Sequence, residues 1–290
     1  MIGTELYFLL MALVSVGAGV LGALVGIGGG ILIVPIMTLG FGVPVQYAIG
    51  ASIISVIGTS SGAASAFVRD KISNFRIGTF LNAATTSGAV VGSVLSIYLI
   101  GTGFSWVIYL VFGVVLITSA YDLYRKSRKE MKLSKADINV TPNRLADALE
   151  LKGEYYDPAL KQRVPYEATQ VPGGFGIMIV AGLLSGLLGI GSGTLKVLGM
   201  DILMKLPFKV STTTSNFMIG VTAAASAGIF FLKGYVNLLL VGPVAVGVVA
   251  GSFIGSKLVV RARPTSLRLV FIVVLVVSGI EMLQKGVVQL

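Results

Sequence analysis

The stretch that decides the fold is Ala18–Met37, AGVLGALVGIGGGILIVPIM, because it occurs twice. Shifted by 163 positions it meets Ala181–Met200, AGLLSGLLGIGSGTLKVLGM, and 11 of the 20 positions are identical. The same shift pairs Pro44 with Pro207, Ser52 with Ser215, Thr59 with Thr222, Phe67 with Phe230 and Asn74 with Asn237. After a four-residue gap, Gly88, Gly92 and Ser93 fall on Gly247, Gly251 and Ser252. Apolar composition alone gives scattered matches. It does not give GIGGG against GIGSG in register with a downstream proline. The chain reads as a duplicated unit.

Composition fixes the solvent. Of 290 residues, 55% are hydrophobic and 12% charged, with a mean hydropathy of +0.93. A soluble domain carries roughly 25% charged residues. The apolar residues run unbroken for too long, and without period-2 alternation, to be barrel strands. In lipid every backbone amide must be paired internally, so the runs are helices. The fold expected is an all-α polytopic membrane protein of two homologous repeats, each of about five segments. There is no Cys and no His, which removes thiolate metal sites and the commonest general base. No metal site, cofactor or catalytic residue is expected. The net charge of +10 suits nucleic acid in a soluble protein, but in loops it sets membrane orientation. Met1 to Leu10 hold no Lys or Arg, against a cleaved signal peptide.

Ten apolar segments are read at 5–25, 30–42, 45–68, 77–100, 104–124, 173–188, 193–206, 208–232, 235–259 and 266–286. Three are short for a ~30 Å core, so the count of full spans is eight or ten. They divide into a first repeat at residues 1–124, a linker at 125–172 and a second repeat at 173–290. The linker opens on the basic run Arg125–Lys135 and reads as a solvated cytoplasmic loop. Asn143 is placed to cap a short helix within it. With the basic run inside, Arg69, Lys71 and Arg76 are also inside. Five crossings per half put Arg261, Arg263 and Arg268 inside as well. An odd number of crossings inverts the two repeats.

The paired glycine runs, Gly26–Gly30 and Gly189–Gly193, each follow one apolar segment and precede a short one. A helix broken inside a membrane is tolerated only where protein or a cavity receives its free backbone groups. Half-helix N-termini attract anions, and paired interruptions in two repeats point to a transporter's binding site. Close packing through small residues explains the same glycines without a ligand. No Walker lysine follows either run, and the dinucleotide fingerprint is absent. Candidate substrate-binding residues are Gly28, Gly29 and Gly30 in the first run, and Gly191, Ser192, Gly193, Thr194 and Lys196 in the second. Ser52, Ser215 and Asn216 add hydroxyl and amide groups from the third and eighth segments. Asp122 and Glu281, near the ends of the fifth and tenth, are candidate proton carriers. Lys196 reads as a helix-end charge worth roughly 0.3–2 kcal/mol to an anion. Loss of Asn216 is expected to cost more, at roughly 1–3 kcal/mol.

The repeated glycine run, Pro35 in VPIM, Ala48–Ser52 and the basic central loop resemble the sulfite exporter TauE/SafE family. The resemblance covers about 17–100 and 180–260. It departs in the second half, where Ser192 matches Gly29 and Leu198 matches Pro35. It implies transport of sulfite or organosulfonates across the bacterial inner membrane. The expected partners are therefore a small anion and the lipid bilayer, not nucleic acid. Rocking of one repeat against the other would alternate access. The alternatives are a passive anion channel or uniporter and a non-transport membrane scaffold. An enzyme is not expected. The sequence leaves open the anion, the direction, the coupling ion and the oligomeric state.

The topology is testable because the chain lacks native cysteine. Cysteines introduced singly at Thr4 and Gln289 are expected to label from outside intact cells, and Ser134→Cys only after permeabilisation. External labelling of Ser134→Cys would overturn the assignment.

Overall fold

The computed structural model describes residues 4–25, 29–69, 73–130, 144–157, 162–259 and 264–289. The first repeat comprises α1 (Thr4–Val25), α2 (Gly30–Pro35), α3 (Val45–Arg69), α4 (Phe75–Gly101) and α5 (Ser105–Glu130). A π-helical turn, Ile36–Gly40, continues α2. The linker holds α6 (Arg144–Ala148) and an antiparallel hairpin of β1 (Lys152–Asp157) and β2 (Gln162–Glu167). The second repeat follows as α7 (Val171–Leu188), α8 (Gly193–Leu198) with its π turn Gly199–Leu203, α9 (Phe208–Leu232), α10 (Leu238–Val259) and α11 (Pro264–Val288). Among the described residues, seven helices are long and apolar enough to cross a membrane. Leu9, Leu13, Val91, Phe231, Leu239 and Phe253 project from them exposed. An apolar surface of that extent is matched by lipid, not water.

The duplication holds at the level of single turns. A shift of 163 carries Gly30–Pro35 onto Gly193–Leu198, both π turns onto each other, and Val45–Arg69 onto Phe208–Leu232. Gly42 and Lys205, again 163 apart, both take positive φ. Val43 N–H donates to the Met37 carbonyl and Leu206 N–H to that of Met200, each at 2.9 Å. Pro35 does not cause the π turn, since Leu198 precedes an equal one. Asn74 Oδ1 caps α4 by accepting from Ile77 N–H, and Asn237 Oδ1 accepts from Leu239 N–H at the start of α10.

Packing corrects one detail of the repeat. A Cβ built on Gly88 would lie 2.2 Å from the Ile179 carbonyl oxygen, and one on Gly251 would lie 2.1 Å from that of Val16. Val16 and Ile179 are themselves 163 apart, so Gly88 matches Gly251 rather than Gly247, and Gly92 matches Gly255. The four-residue gap lies beyond α4, where α5 begins at Ser105 and α11 at Pro264, a shift of 159. The sequence alignment slipped by one helical turn because glycines recur every four residues in α10.

These glycines set the helix pairs. Gly88 and Gly92 meet Ile179 and Leu183, so α4 and α7 run parallel at backbone contact. Gly247, Gly251 and Gly255 meet Ala12, Val16 and Val20, so α1 and α10 do the same. Each tight pair takes one helix from each repeat. α5 and α11 instead run antiparallel, since Gly113 meets Leu283 and Gly286 meets Leu110. α3 packs on α9 through the centre.

The linker is more ordered than its composition suggests. Tyr155, Val164 and Tyr166 of the hairpin are buried with Leu151 and Ala168 against Ile77, Leu81, Met200 and Met204. Asn74 ties this unit down: its Nδ2 donates to Tyr166 Oη at 3.1 Å and to the Lys152 carbonyl at 3.3 Å, and its N–H donates to Thr214 Oγ1 at 3.1 Å. Burial raises the Tyr166 phenol above its ordinary pKa, and the bond from Asn74 opposes that. The hairpin escaped the sequence reading because Pro165 and mixed charges mask its alternation; α6 forms as expected, while Asn143 lies outside the described residues.

The packing separates two kinds of glycine. A Cβ on Gly182 would lie 2.1 Å from the Thr85 carbonyl oxygen, whereas one on Gly17 meets nothing within 4 Å. Gly182→Ala is expected to force α4 and α7 apart and cost roughly 1–3 kcal/mol. Gly17→Ala should be neutral or stabilise by up to about 1 kcal/mol. Thermal unfolding of both purified variants in detergent checks the difference.

Candidate functional site

The second glycine run breaks the chain sharply. Gly189 and Gly191 take φ of +71° and +75°, and Ser192 follows at +47°. A Cβ on Gly189 would lie 2.8 Å from Ile49 Cγ2, and one on Gly191 would lie 2.8 Å from Ile219 Cγ2. Backbone conformation and space both demand glycine at these two positions. Ser192 holds a left-handed conformation that costs a non-glycine residue roughly 1–2 kcal/mol. Its hydroxyl is buried without a partner among the described residues.

The reversal sends α8 back into the protein and carries Lys196 with it. Lys196 is fully buried. Its Nζ donates to Thr222 Oγ1 at 2.9 Å. The Thr222 hydroxyl donates to the Met218 carbonyl at 2.7 Å and lies 3.2 Å from Thr85 Oγ1. The Thr85 hydroxyl in turn donates to Asn82 Oδ1 at 3.2 Å. The hydroxyls come from α9 and α4, so the lysine sits where three elements of both repeats meet. Among the described residues no carboxylate pairs with it. An ammonium has three donors, and a buried charge without a counter-charge is strongly disfavoured.

The polar set exists once, not twice. At a shift of 163 the first repeat has Ile33 for Lys196 and Ile53 for Asn216, while α10 has Ala245 for Asn82 and Val248 for Thr85. Only Thr222 keeps its counterpart, Thr59. Around the first break, a Cβ on Gly29 would lie 2.8 Å from Val248 Cγ1, and one on Gly30 would lie 2.1 Å from Val56 Cγ2. The nearest side-chain atom to each of these two glycines is a valine methyl, with Ser52 Oγ next at Gly30. Gly28 lies outside the described residues.

The hydroxyls singled out in the sequence serve the broken backbone in this conformation. Ser52 Oγ lies between two carbonyl oxygens, 2.9 Å from that of Gly30 and 2.8 Å from that of Gly189. Ser215 Oγ donates to the Gly193 carbonyl at 3.3 Å. The first contact joins the two interruptions directly, one repeat to the other. Asn216 Nδ2 donates to the Thr212 carbonyl within its own helix at 3.1 Å. Gly193 is buried and Thr194 half-buried at the start of α8. Asp122 is half-buried on α5 and Glu281 exposed on α11, and neither bonds to Lys196.

Lys196 differs most from its sequence reading. A charge at an accessible helix end was expected, and a fully enclosed one is found, so the weak coupling of an exposed charge does not apply. Thr85 and Asn82 were missed. Their signal was a polar pair in α4 standing opposite alanine and valine in α10. Lys285 was missed as well: it reaches from α11 to donate to the Thr38 carbonyl at 2.8 Å, with its Nζ 5.4 Å from the Tyr109 ring centre. It caps the π turn of the first repeat as a cation at a helix C-terminus does.

The chain's kinship agrees with this architecture. The family model described as sulfite exporter TauE/SafE matches residues 11–282. The probable membrane transporter protein YunE of Bacillus subtilis strain 168 is 27% identical over 97% of this chain and 98% of its own length. The probable membrane transporter protein MJ0441 of Methanocaldococcus jannaschii is 26% identical over 96% of this chain and 97% of its own. No solved structure is significantly similar to the chain. A multi-pass membrane protein of duplicated halves, matched along nearly its whole length, the chain belongs to the sulfite exporter TauE/SafE family of membrane transporters.

Proposed function

We propose that this transporter moves a small sulfur-containing oxyanion, sulfite or an organosulfonate, across the bacterial inner membrane by alternating access. The observation that carries the reading is Lys196: one enclosed cation, bonded to a hydroxyl and matched by no carboxylate among the described residues. A cation so placed is balanced by an anion that visits it. The name of the family supplies the sulfur oxyanion. The antiparallel run of α5 against its counterpart α11 supports repeats inverted in the membrane. So does the path of the short α2 and α8, which return the chain so that α1 and α3 can both cross in the same sense. Inverted repeats around a central site give two mirror conformations of similar energy, the basis of alternating access. Ser52, Ser215 and the glycines hold the broken backbone that aims Lys196, while Ser192 stands one turn before it with an unused hydroxyl.

The test is anion binding and flux by purified protein. Sulfite and sulfoacetate should raise the melting temperature in detergent and enter proteoliposomes with saturable kinetics. Linear, non-saturating flux would instead support a channel. Lys196→Gln should weaken binding by about 2 kcal/mol or more, about 30-fold, because among the described residues it removes the only buried cation beside the hydroxyls. Asn216→Leu should have the smaller effect, since its amide bonds within its own helix. The reverse order at equal folded fraction would return recognition to the backbone amides and sink the role given to Lys196.

A further inference from the structure

We propose that Lys196 carries a proton together with the anion, so that a monovalent anion crosses with one proton and no net charge. This rests on the transport reading above and adds the coupling ion, in place of Asp122 and Glu281.

The argument is one of charge balance in an enclosed site. Lys196 is fully buried and its Nζ has one hydroxyl partner, Thr222. The elements packed around it hold little that could compensate its charge. α7 has no titratable residue, and α8 has only Lys196 itself. α9 contributes Lys209 at its second position, and α4 contributes Arg76 at its second and Tyr98 near its end. α3 contributes Tyr47 and Arg69, both near helix ends. Asp201 lies five residues beyond Lys196 on the half-exposed π turn, engaged in an interaction of its own. The other formal charges on these elements are thus mostly of the same sign, and the basic ones stand at helix ends.

With no anion present, an ammonium in this enclosure has no counter-charge, and the neutral amine is the form the protein can bury. As a neutral amine it still has N–H groups and keeps its donation to Thr222 Oγ1. When a monoanion A⁻ enters, the balanced step is R–NH2 + H⁺ + A⁻ → R–NH3⁺·A⁻. Loaded and empty sites are both neutral overall. Either can change its access across a low-dielectric barrier without moving charge, whereas an ammonium left behind could not. Asp122 and Glu281 stand apart, on the antiparallel α5·α11 pair, with no bond to the lysine.

Methanesulfonate is the probe, because its sulfonate stays ionised throughout the working pH range and brings no proton of its own. Full-length protein in liposomes containing a trapped pH dye is exposed to an inward methanesulfonate gradient. The expected result is internal acidification at about one proton per anion, insensitive to a potassium–valinomycin potential. Sulfoacetate, a dianion near neutral pH, should show the same proton but respond to that potential. Lys196→Arg keeps a permanent charge and should lower the acidification rate by about tenfold or more. Anion uptake by the native protein without acidification would overturn the proposal and leave the transporter reading standing. So would Lys196→Arg acidifying as the native protein does. Failure of the native protein to move methanesulfonate, sulfite or sulfoacetate would overturn the transport reading, and the proposal with it.

Discussion

A backbone broken inside a membrane must find its hydrogen-bond partners within the protein, and most of the architecture follows from that constraint. The two glycine runs interrupt the helices where water cannot repair them. Ser52 answers with a hydroxyl set between the carbonyl oxygens of Gly30 and Gly189, its one proton serving either, and Ser215 donates to that of Gly193. The bonds are modest singly, about 1 kcal/mol each. Left unmade, each would cost several times that in an apolar surround. The interruptions therefore draw α3 and α9 to the centre, and the remaining helices pack around that core.

Symmetry supplies the scaffold, and departure from symmetry supplies the chemistry. The shift of 163 reproduces caps, π turns and positive-φ residues. It fails at the positions that carry polarity: Ile33 against Lys196, Val248 against Thr85, Ala245 against Asn82. Duplication without divergence would place two lysines near one centre, where like charges repel. A single lysine with its hydroxyls avoids that repulsion. The linker adds a second asymmetry, since its hairpin covers Met200 and Met204 through a clamp at Asn74 whose counterpart, Asn237, has no such partner among the described residues.

The helices were legible because apolar length and the duplicated glycine run are strong signals, and nearly every boundary fell within a few residues. What was not legible depended on facing. Which glycine of α10 answers Gly88 was ambiguous, since several at four-residue spacing satisfy the alignment and only contact with Val16 or Ile179 separates them. The burial of Lys196 was hidden because a six-residue helix looks like a membrane edge until the reversal at Gly189–Ser192 is seen to turn it inward. Thr85 and Asn82 lie over a hundred positions from Lys196, and nothing local connects them. The hairpin alternates weakly, and its tyrosines read as polar-loop residues until their shared burial is seen.

The parallel pairs α1·α10 and α4·α7 have a mechanical consequence. Their glycines bring backbone against carbonyl with no side chain between, so sliding one helix along its partner would drive Cα atoms over the ridges of the next turn. Each pair is packed as one unit. Because each draws a helix from either half of the gene, the stiff bodies of this molecule cut across the duplication. In the alternation of access proposed above, the hinge would run between one mixed body and the other, through the α3·α9 contact, and the order in which the chain was duplicated would differ from the order in which it bends.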